Sequence, residues 1–167
     1  MNEFFTKFCE LEPAFIFSDI AALDPASGGS SVDAMPYPVA LEQLGCTRIT
    51  TLDIRADSRA SIKADYINWI PEQQYDLVIT NPPYLIALEY IATALDDCVD
   101  GGFVVMLLRL NFFGSIGRRA FWKDHMPLYC IVHAQRPRFN GKSDSVEYCH
   151  MVWKKGFNPD NTKLFIV

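Results

Sequence analysis

Apolar residues in this chain fall in short runs, most of them closed by a turn-forming or acidic residue. Residues 2–11 fit a short helix that Pro13 ends. Residues 15–23 are mostly apolar and stop at Asp24, which predicts a first strand, and Gly28, Gly29, Ser30 and Ser31 follow as a loop. Residues 36–45 predict a helix, with Pro36 and Pro38 near its start and Gly45 suited to its C-terminal cap. A second strand, 48–52, ends at Asp53; a weak third, 61–64, ends at Asp65; a fourth covers 75–80. Residues 86–98 place Leu88, Ile91, Ala92 and Leu95 on one helical face. Asp100, Gly101 and Gly102 predict a turn into 103–108, a run without a polar residue that reads as a strand buried on both faces. A helix over 115–125 and two closing strands, 129–134 and 147–153, complete the pattern.

Strands that alternate with helices and lack polar faces predict an α/β fold with a mainly parallel sheet covered on both sides. The 167 residues fit one domain, 1–167, and half of them are hydrophobic, enough for a substantial core. In such sheets ligands bind beyond the carboxyl ends of the strands. Asp24, Asp53, Asp65 and Asn81 all fall at predicted carboxyl ends, so four polar residues share one edge.

The net charge of −5 excludes a uniformly basic nucleic-acid coat but leaves room for a local basic patch. Five widely spaced cysteines, with no C-x-x-C, argue against a disulfide framework and against a cysteine zinc site. They predict reduced, buried thiols in a cytoplasmic protein. His125, His133 and His150 show no metal-ligand spacing and read as structural or surface residues, and no metal is expected. The start carries Glu3, Glu10 and Glu12 without a basic stretch, so it does not read as a signal peptide. No apolar run approaches the ~18 residues of a membrane span.

The first strand tip reads Asp24-Pro25-Ala26-Ser27-Gly28-Gly29. Glycines there let a ligand approach the backbone closely, but the G-x-G-x-x-G spacing of a dinucleotide site is absent and an acid leads the loop. An acidic mouth suits a cofactor with positive charge and ribose hydroxyls, such as S-adenosylmethionine. Asp53 is then the natural acceptor for the ribose hydroxyls and Asp65 for the adenine amine, with Asp33 and Asp57 close enough in sequence to substitute. The fourth strand ends in Asn81-Pro82-Pro83-Tyr84. Two prolines donate nothing to a ladder, which leaves an amide, free carbonyls and an aromatic ring at the tip. That set can hold a planar amino group and stack on the ring that carries it.

Together these stretches resemble the S-adenosylmethionine-dependent amino-methyltransferases, most of all the short, phage-type N6-adenine DNA methyltransferases, over about residues 15 to 155. The resemblance implies a Rossmann-like sheet of seven strands whose last is antiparallel. It implies Asn81, Pro82, Pro83 and Tyr84 as the catalytic motif, and Asp24, Pro25, Ala26, Gly28, Asp53 and Asp65 as the cofactor site. Two departures stand out. Ser30 replaces the loop's usual second glycine. The phenylalanine-glycine cofactor motif is unmatched, so either Phe15 or Phe17 serves or that cap is missing. No separate target-recognition domain is expected. Arg109 and Asn111 fall on the same edge, and Arg136, Arg138, Phe139 and Lys142 form a basic loop suited to phosphates and stacking, with a second basic stretch at Arg118, Arg119 and Lys123. DNA is the expected partner. The open alternatives are an RNA base, a protein glutamine amide, or a non-catalytic binding module that kept the fold.

Overall fold

The computed structural model describes residues 2–135 and 145–167, and the backbone alone at 138, 139, 142 and 143. Among the described residues there are four α-helices: α1 (Asn2–Leu11), α2 (Pro36–Gln43), α3 (Ala87–Asp97) and α4 (Arg119–Asp124). The strands are β1 (Ala21–Asp24), β2 (Arg48–Asp53), β3 (Ile62–Lys63), β4 (Tyr75–Thr80), β5 (Cys98–Arg109), β6 (Tyr129–Val132), β7 (Arg138–Phe139), β8 (Lys142–Ser143), β9 (Tyr148–Lys154) and β10 (Lys163–Ile166). Eight of them form one sheet in the order β10-β6-β9-β5-β4-β1-β2-β3, and β7 pairs with β8.

Every neighbouring pair in the sheet is parallel except those made by β9, which runs antiparallel to both β5 and β6. The expected seven strands and the expected antiparallel closing strand are therefore present. An eighth, β10, adds beside β6 in parallel register. The exposed side chains of Leu164 and Ile166 explain why a search for buried apolar runs passes over it.

Alternation along the central strands sorts the core into two layers. Leu77, Ile79, Phe103, Val105 and Leu107 face one side, where Phe4, Phe5 and Phe8 of α1 and Tyr37, Ala40 and Leu41 of α2 cover them. Val78, Val104, Met106 and Leu108 face the other, under Ala87, Tyr90, Ile91 and Ala94 of α3 and Trp122 of α4. A strand lying between two helical layers has no solvent face, which is why 103–108 contains no polar residue.

Three boundaries differ from the sequence pattern. Strand β1 starts only at Ala21, because Phe17–Asp19 forms a single 3-10 turn and Phe15 and Phe17 build an aromatic cluster with Phe8. The expected turn at Asp100–Gly102 lies inside β5, where the register with β4 shifts between Tyr75 and Leu77. Gly102 is required there, since a Cβ would sit 2.8 Å from both the Asp76 carbonyl and the Cys98 sulfur. The helix expected over 115–125 is a 3-10 turn, Ile116–Arg118, followed by α4. Four of the five cysteines are buried and all are free thiols. Among the described residues no helix is long and apolar enough to cross a membrane.

Candidate active site

The carboxyl ends of β1, β2 and β4 lie side by side, and the loop after β1 is laced to both neighbours. The Ser27 amide donates to the Leu52 carbonyl (3.0 Å) and the Gly28 amide to Asp53 Oδ2 (2.9 Å). Across the loop, the Ala26 amide donates to Thr80 Oγ1 (3.1 Å), which in turn donates to Asp24 Oδ1 (2.7 Å). Gly28 and Gly29 hold φ values of +66° and +72°, a region that glycine enters without strain. Ser30, where a glycine was expected, instead ties the loop's far side: its hydroxyl donates to Asp33 Oδ2 (2.8 Å) and accepts from the Asp33 amide (3.1 Å).

Asp24 is fully buried. Its Oδ1 is held by Thr80, while Oδ2 has no hydrogen-bond partner. Burial pushes this carboxyl up to about 7; the Thr80 and Ala26 hydrogen bonds oppose the shift and the neighbouring Asp53 adds to it. A buried carboxyl with one vacant oxygen is a place for a cationic donor. Thr80 was not singled out from the sequence, although a hydroxyl closing the apolar run Leu77-Val78-Ile79 is the signal that could have found it.

Asp53 is nearly buried and already engaged. Oδ2 accepts from Gly28, and Oδ1 accepts from the Arg55 amide (2.8 Å) and Arg55 Nε (3.3 Å). A carboxylate has about four acceptor positions, so this leaves room for about one further donor. A second further donor requires the half-exposed Arg55 side chain to swing away, a small cost for a solvated pair. Asp65 caps the 3-10 turn Tyr66–Asn68, accepting from the Ile67 amide (3.3 Å) and Asn68 Nδ2 (2.7 Å). The three acids nonetheless converge. Burial raises the Tyr90 hydroxyl on α3 to about 12, and Asp65, Asp53 and Asp24 each contribute.

At the tip of β4, Pro82 is buried and Pro83 is exposed, its carbonyl closing a turn with the Ile86 amide (3.1 Å). Tyr84 donates its hydroxyl to Asn81 Oδ1 (3.2 Å). The Arg109 guanidinium lies 5.2 Å from the centre of the Tyr84 ring, and the Tyr148 ring stands 6.3 Å away on β9. The motif and Arg109 therefore meet, and Tyr148 joins them unforeseen by the sequence. Asn111 sits exposed in the turn that follows β5.

Two expectations are corrected. Phe15 and Phe17 do not cap the cofactor edge: they precede β1 and pack against Phe8, with Phe15 also on Phe103, which lies level with the start of β1. Arg118 does not join an outward basic patch, because its Nε donates to the Phe112 carbonyl (2.7 Å) and its guanidinium covers the Phe112 ring at 4.3 Å. Arg119 and Lys123 remain exposed. Arg136 lies outside the described residues, as do the side chains of Arg138, Phe139 and Lys142.

The fold matches solved structures. It resembles a protein described as a class I S-adenosylmethionine-dependent methyltransferase from Listeria monocytogenes, with a TM-score of 0.60 and 14% identity over 89% of this chain. The match spans 58% of that protein, so this chain covers little more than half its length. The N-methyltransferase NodS from Bradyrhizobium japonicum, solved with S-adenosyl-L-homocysteine, aligns with a TM-score of 0.56 at 10% identity, over 83% of this chain and 79% of that one. A protein described as an rRNA methylase from Clostridium thermocellum gives 0.55 at 13% identity, over 90% and 96%. The fold is that of the class I methyltransferases. Proteins described as hemolysins from Streptococcus thermophilus and Lactococcus lactis share it. No family model matches the sequence, and no curated protein does.

Proposed function

We propose that this chain, acting as one methyltransferase domain over 1–167, transfers a methyl group from S-adenosylmethionine to the exocyclic N6 amine of adenine in DNA. The observation that carries the reading is the juxtaposition of Asn81-Pro82-Pro83-Tyr84 at the tip of β4 with the buried, half-vacant Asp24 carboxylate at the tip of β1, linked through Thr80. The class I fold supports the cofactor, and the donor set fits it. Asp24, through its unpartnered Oδ2, would hold the ammonium, Asp53 the ribose and Asp65 the adenine amine, while Pro25, Ala26 and Gly28 would leave the backbone open to approach. When bound, the cofactor supplies a methyl group on a positively charged sulfur.

An exocyclic amine is a weak nucleophile, because its lone pair is delocalised into the ring. The Asn81 side-chain oxygen and the Pro82 carbonyl accept its two hydrogens and return electron density to the nitrogen. That stabilisation grows as positive charge develops on the nitrogen, so it favours the transition state over the bound substrate. For Asn81 to do this, the Tyr84 hydroxyl must leave it, which the entering amine achieves by competition. Tyr84 then stacks on the extruded base, with Arg109 on the other side of its ring, and Asn111 stands beside the entering strand. Arg136, Arg138, Phe139 and Lys142 are assigned to the flanking backbone and bases.

The likeness to a protein described as an rRNA methylase supports a second reading, methylation of an RNA base at the same site. Incubation with methyl-labelled cofactor and, separately, DNA, RNA and a protein extract distinguishes them. Label in N6-methyladenine of DNA is the expected result. Label in RNA alone or protein alone overturns the DNA reading, and no label together with no cofactor binding overturns methyl transfer.

A further inference from the structure

Three consecutive amides of the loop after β1 are held from both sides. Ser27 and Gly28 donate to β2, at the Leu52 carbonyl and Asp53 Oδ2. Ala26 donates to β4, at Thr80 Oγ1 (3.1 Å). Thr80 is fully buried and immediately precedes Asn81. Its oxygen accepts from Ala26, and its single proton goes to Asp24 Oδ1 at 2.7 Å. The Ala26 amide also reaches that same oxygen, at 3.4 Å. Among the described residues, the donors to Asp24 therefore fall on Oδ1, and Oδ2 has none.

That asymmetry gives the two oxygens different roles. In a protonated carboxyl the carbonyl oxygen is the better acceptor, so two donors on Oδ1 place the proton on Oδ2. In the carboxylate, Oδ2 is the oxygen left to receive a cation. Proton and cation thus compete for one atom while Thr80 holds the other. Burial favours the proton, which Asp24 keeps up to about 7, and the Thr80 hydrogen bond opposes it by stabilising the charged form. The other groups around Asp24 do not help. Asp53 on β2, engaged by Gly28 and Arg55, favours the proton. Tyr37 on α2 and Tyr90 on α3 both feel the Asp24 charge, and burial keeps their hydroxyls protonated, Tyr90 up to about 12 and Tyr37 well above its ordinary range.

We propose that Thr80 is a positioning residue for the cofactor: its hydroxyl fixes Asp24 so that Oδ2 is left for the cofactor's cation, and it ties the cofactor loop to the strand that carries Asn81. This rests on the cofactor reading above. On cation binding Asp24 gives its Oδ2 proton to solvent and accepts from an ammonium N–H at the same oxygen, while Oδ1 keeps Thr80 and Ala26. Only Asp24 changes charge.

The test is calorimetric binding of S-adenosyl-L-homocysteine, which carries the same ammonium, ribose and adenine, to Thr80→Val and Thr80→Ser. Valine keeps the shape and removes the hydroxyl, and the Ala26 amide retains Asp24 Oδ1 as an acceptor. Serine keeps the hydroxyl. Without it Asp24 holds its proton to higher pH, so the loss of affinity must depend on pH. A hydrogen bond to a charged group is worth about one pH unit, so the valine variant should bind about tenfold more weakly near pH 6 and within about threefold of the parent near pH 8.5. The serine variant should stay within about threefold at both, because its hydroxyl can make the same bond. The ligand's own ammonium titrates identically against all three proteins and cancels in the ratios. An equal loss at both pH values, no loss near pH 6, or serine as weak as valine overturns the proposal. If the ligand binds none of the three proteins at any pH, the cofactor reading fails, and the hold of Thr80 on Asp24 is read from urea unfolding instead. Stability of the parent falls with rising pH until about 7, where Asp24 has lost its proton. In Thr80→Val the fall should continue to higher pH, and a curve parallel to the parent's refutes the hold on Asp24.

Discussion

Asp24→Asn should make the cofactor-free protein more stable at alkaline pH, the reverse of what removing a salt-bridged carboxylate does. In the folded state the carboxyl holds its proton up to about 7, whereas the unfolded chain releases it near 3.8. Between those values the folded state binds more protons than the unfolded state, so stability falls as pH rises through that window. Below it the group contributes nothing; above it the full penalty is present. A shift of roughly three units corresponds to about 4 kcal/mol of destabilisation, at 1.36 kcal/mol per unit. In the variant, the asparagine oxygen can keep the Thr80 hydrogen bond, but its NH2 group occupies the place of the unpartnered Oδ2. That buried donor costs about 1–3 kcal/mol, leaving a net gain of about 1–3 kcal/mol above pH 8. Near pH 4 the carboxylate penalty is almost gone while the donor's cost remains, so the variant should there be the less stable by about 0.5–2.5 kcal/mol. Urea unfolding followed by tryptophan fluorescence at several pH values measures the difference curve. Burial also raises Asp97, but that group is common to both proteins and cancels in the difference. Parallel curves from pH 4 to 8.5, or a variant less stable at pH 8, would refute the assignment of a buried, proton-holding Asp24.

Asn81→Ala should abolish transfer and leave cofactor affinity within a few-fold by calorimetry; a large loss of cofactor binding contradicts its role at the amine. Tyr84→Phe keeps the ring and should retain most activity, whereas Tyr84→Ala should weaken substrate binding by about 1–3 kcal/mol, the value of one base stacked on an aromatic side chain, which a KM comparison resolves. Gly29→Ala places a Cβ 2.8 Å from Met35 Cγ at φ +72°, so it should lower stability by about 1–2 kcal/mol and cofactor affinity with it, checked by unfolding and calorimetry. Arg55→Ala frees Asp53 Oδ1 of a side-chain donor and should leave cofactor affinity unchanged or tighter; a marked loss would mean that Arg55 itself contacts the ligand.

What the sequence revealed and what it concealed follow from the range of the interactions involved. The tips of β1, β2 and β4 were legible, because a strand buried on both faces must be apolar until it leaves the core, so the first polar residue marks its end. Asp24 is such a residue after Ala21–Leu23; in β2 and β4 the hydroxyls of Thr51 and Thr80 lie within the buried ends, and Asp53 and Asn81 are the carboxylate and amide that follow them. Asp65, beyond the two-residue β3, was placed less well because a local cap claims its oxygens, and a cap and a ligand contact leave the same trace in a sequence. The boundaries that failed were those set by tertiary crowding. The aromatic run before Ala21 packs as side chains without extending as backbone, and the glycines of β5 relieve a contact with β4 where isolated glycines predict a turn. The histidines show the limit most clearly. His133 and His150 are both buried, and their pairing depends on β9 returning antiparallel beside β6, a contact no spacing rule encodes. One local clue existed: a histidine inside the buried stretch 148–153 must have a polar partner, because an orphaned imidazole in a core costs several times a typical net hydrogen bond. Finding that partner required the fold, and with it came Tyr37, 2.9 Å from the other nitrogen of the same His150 ring.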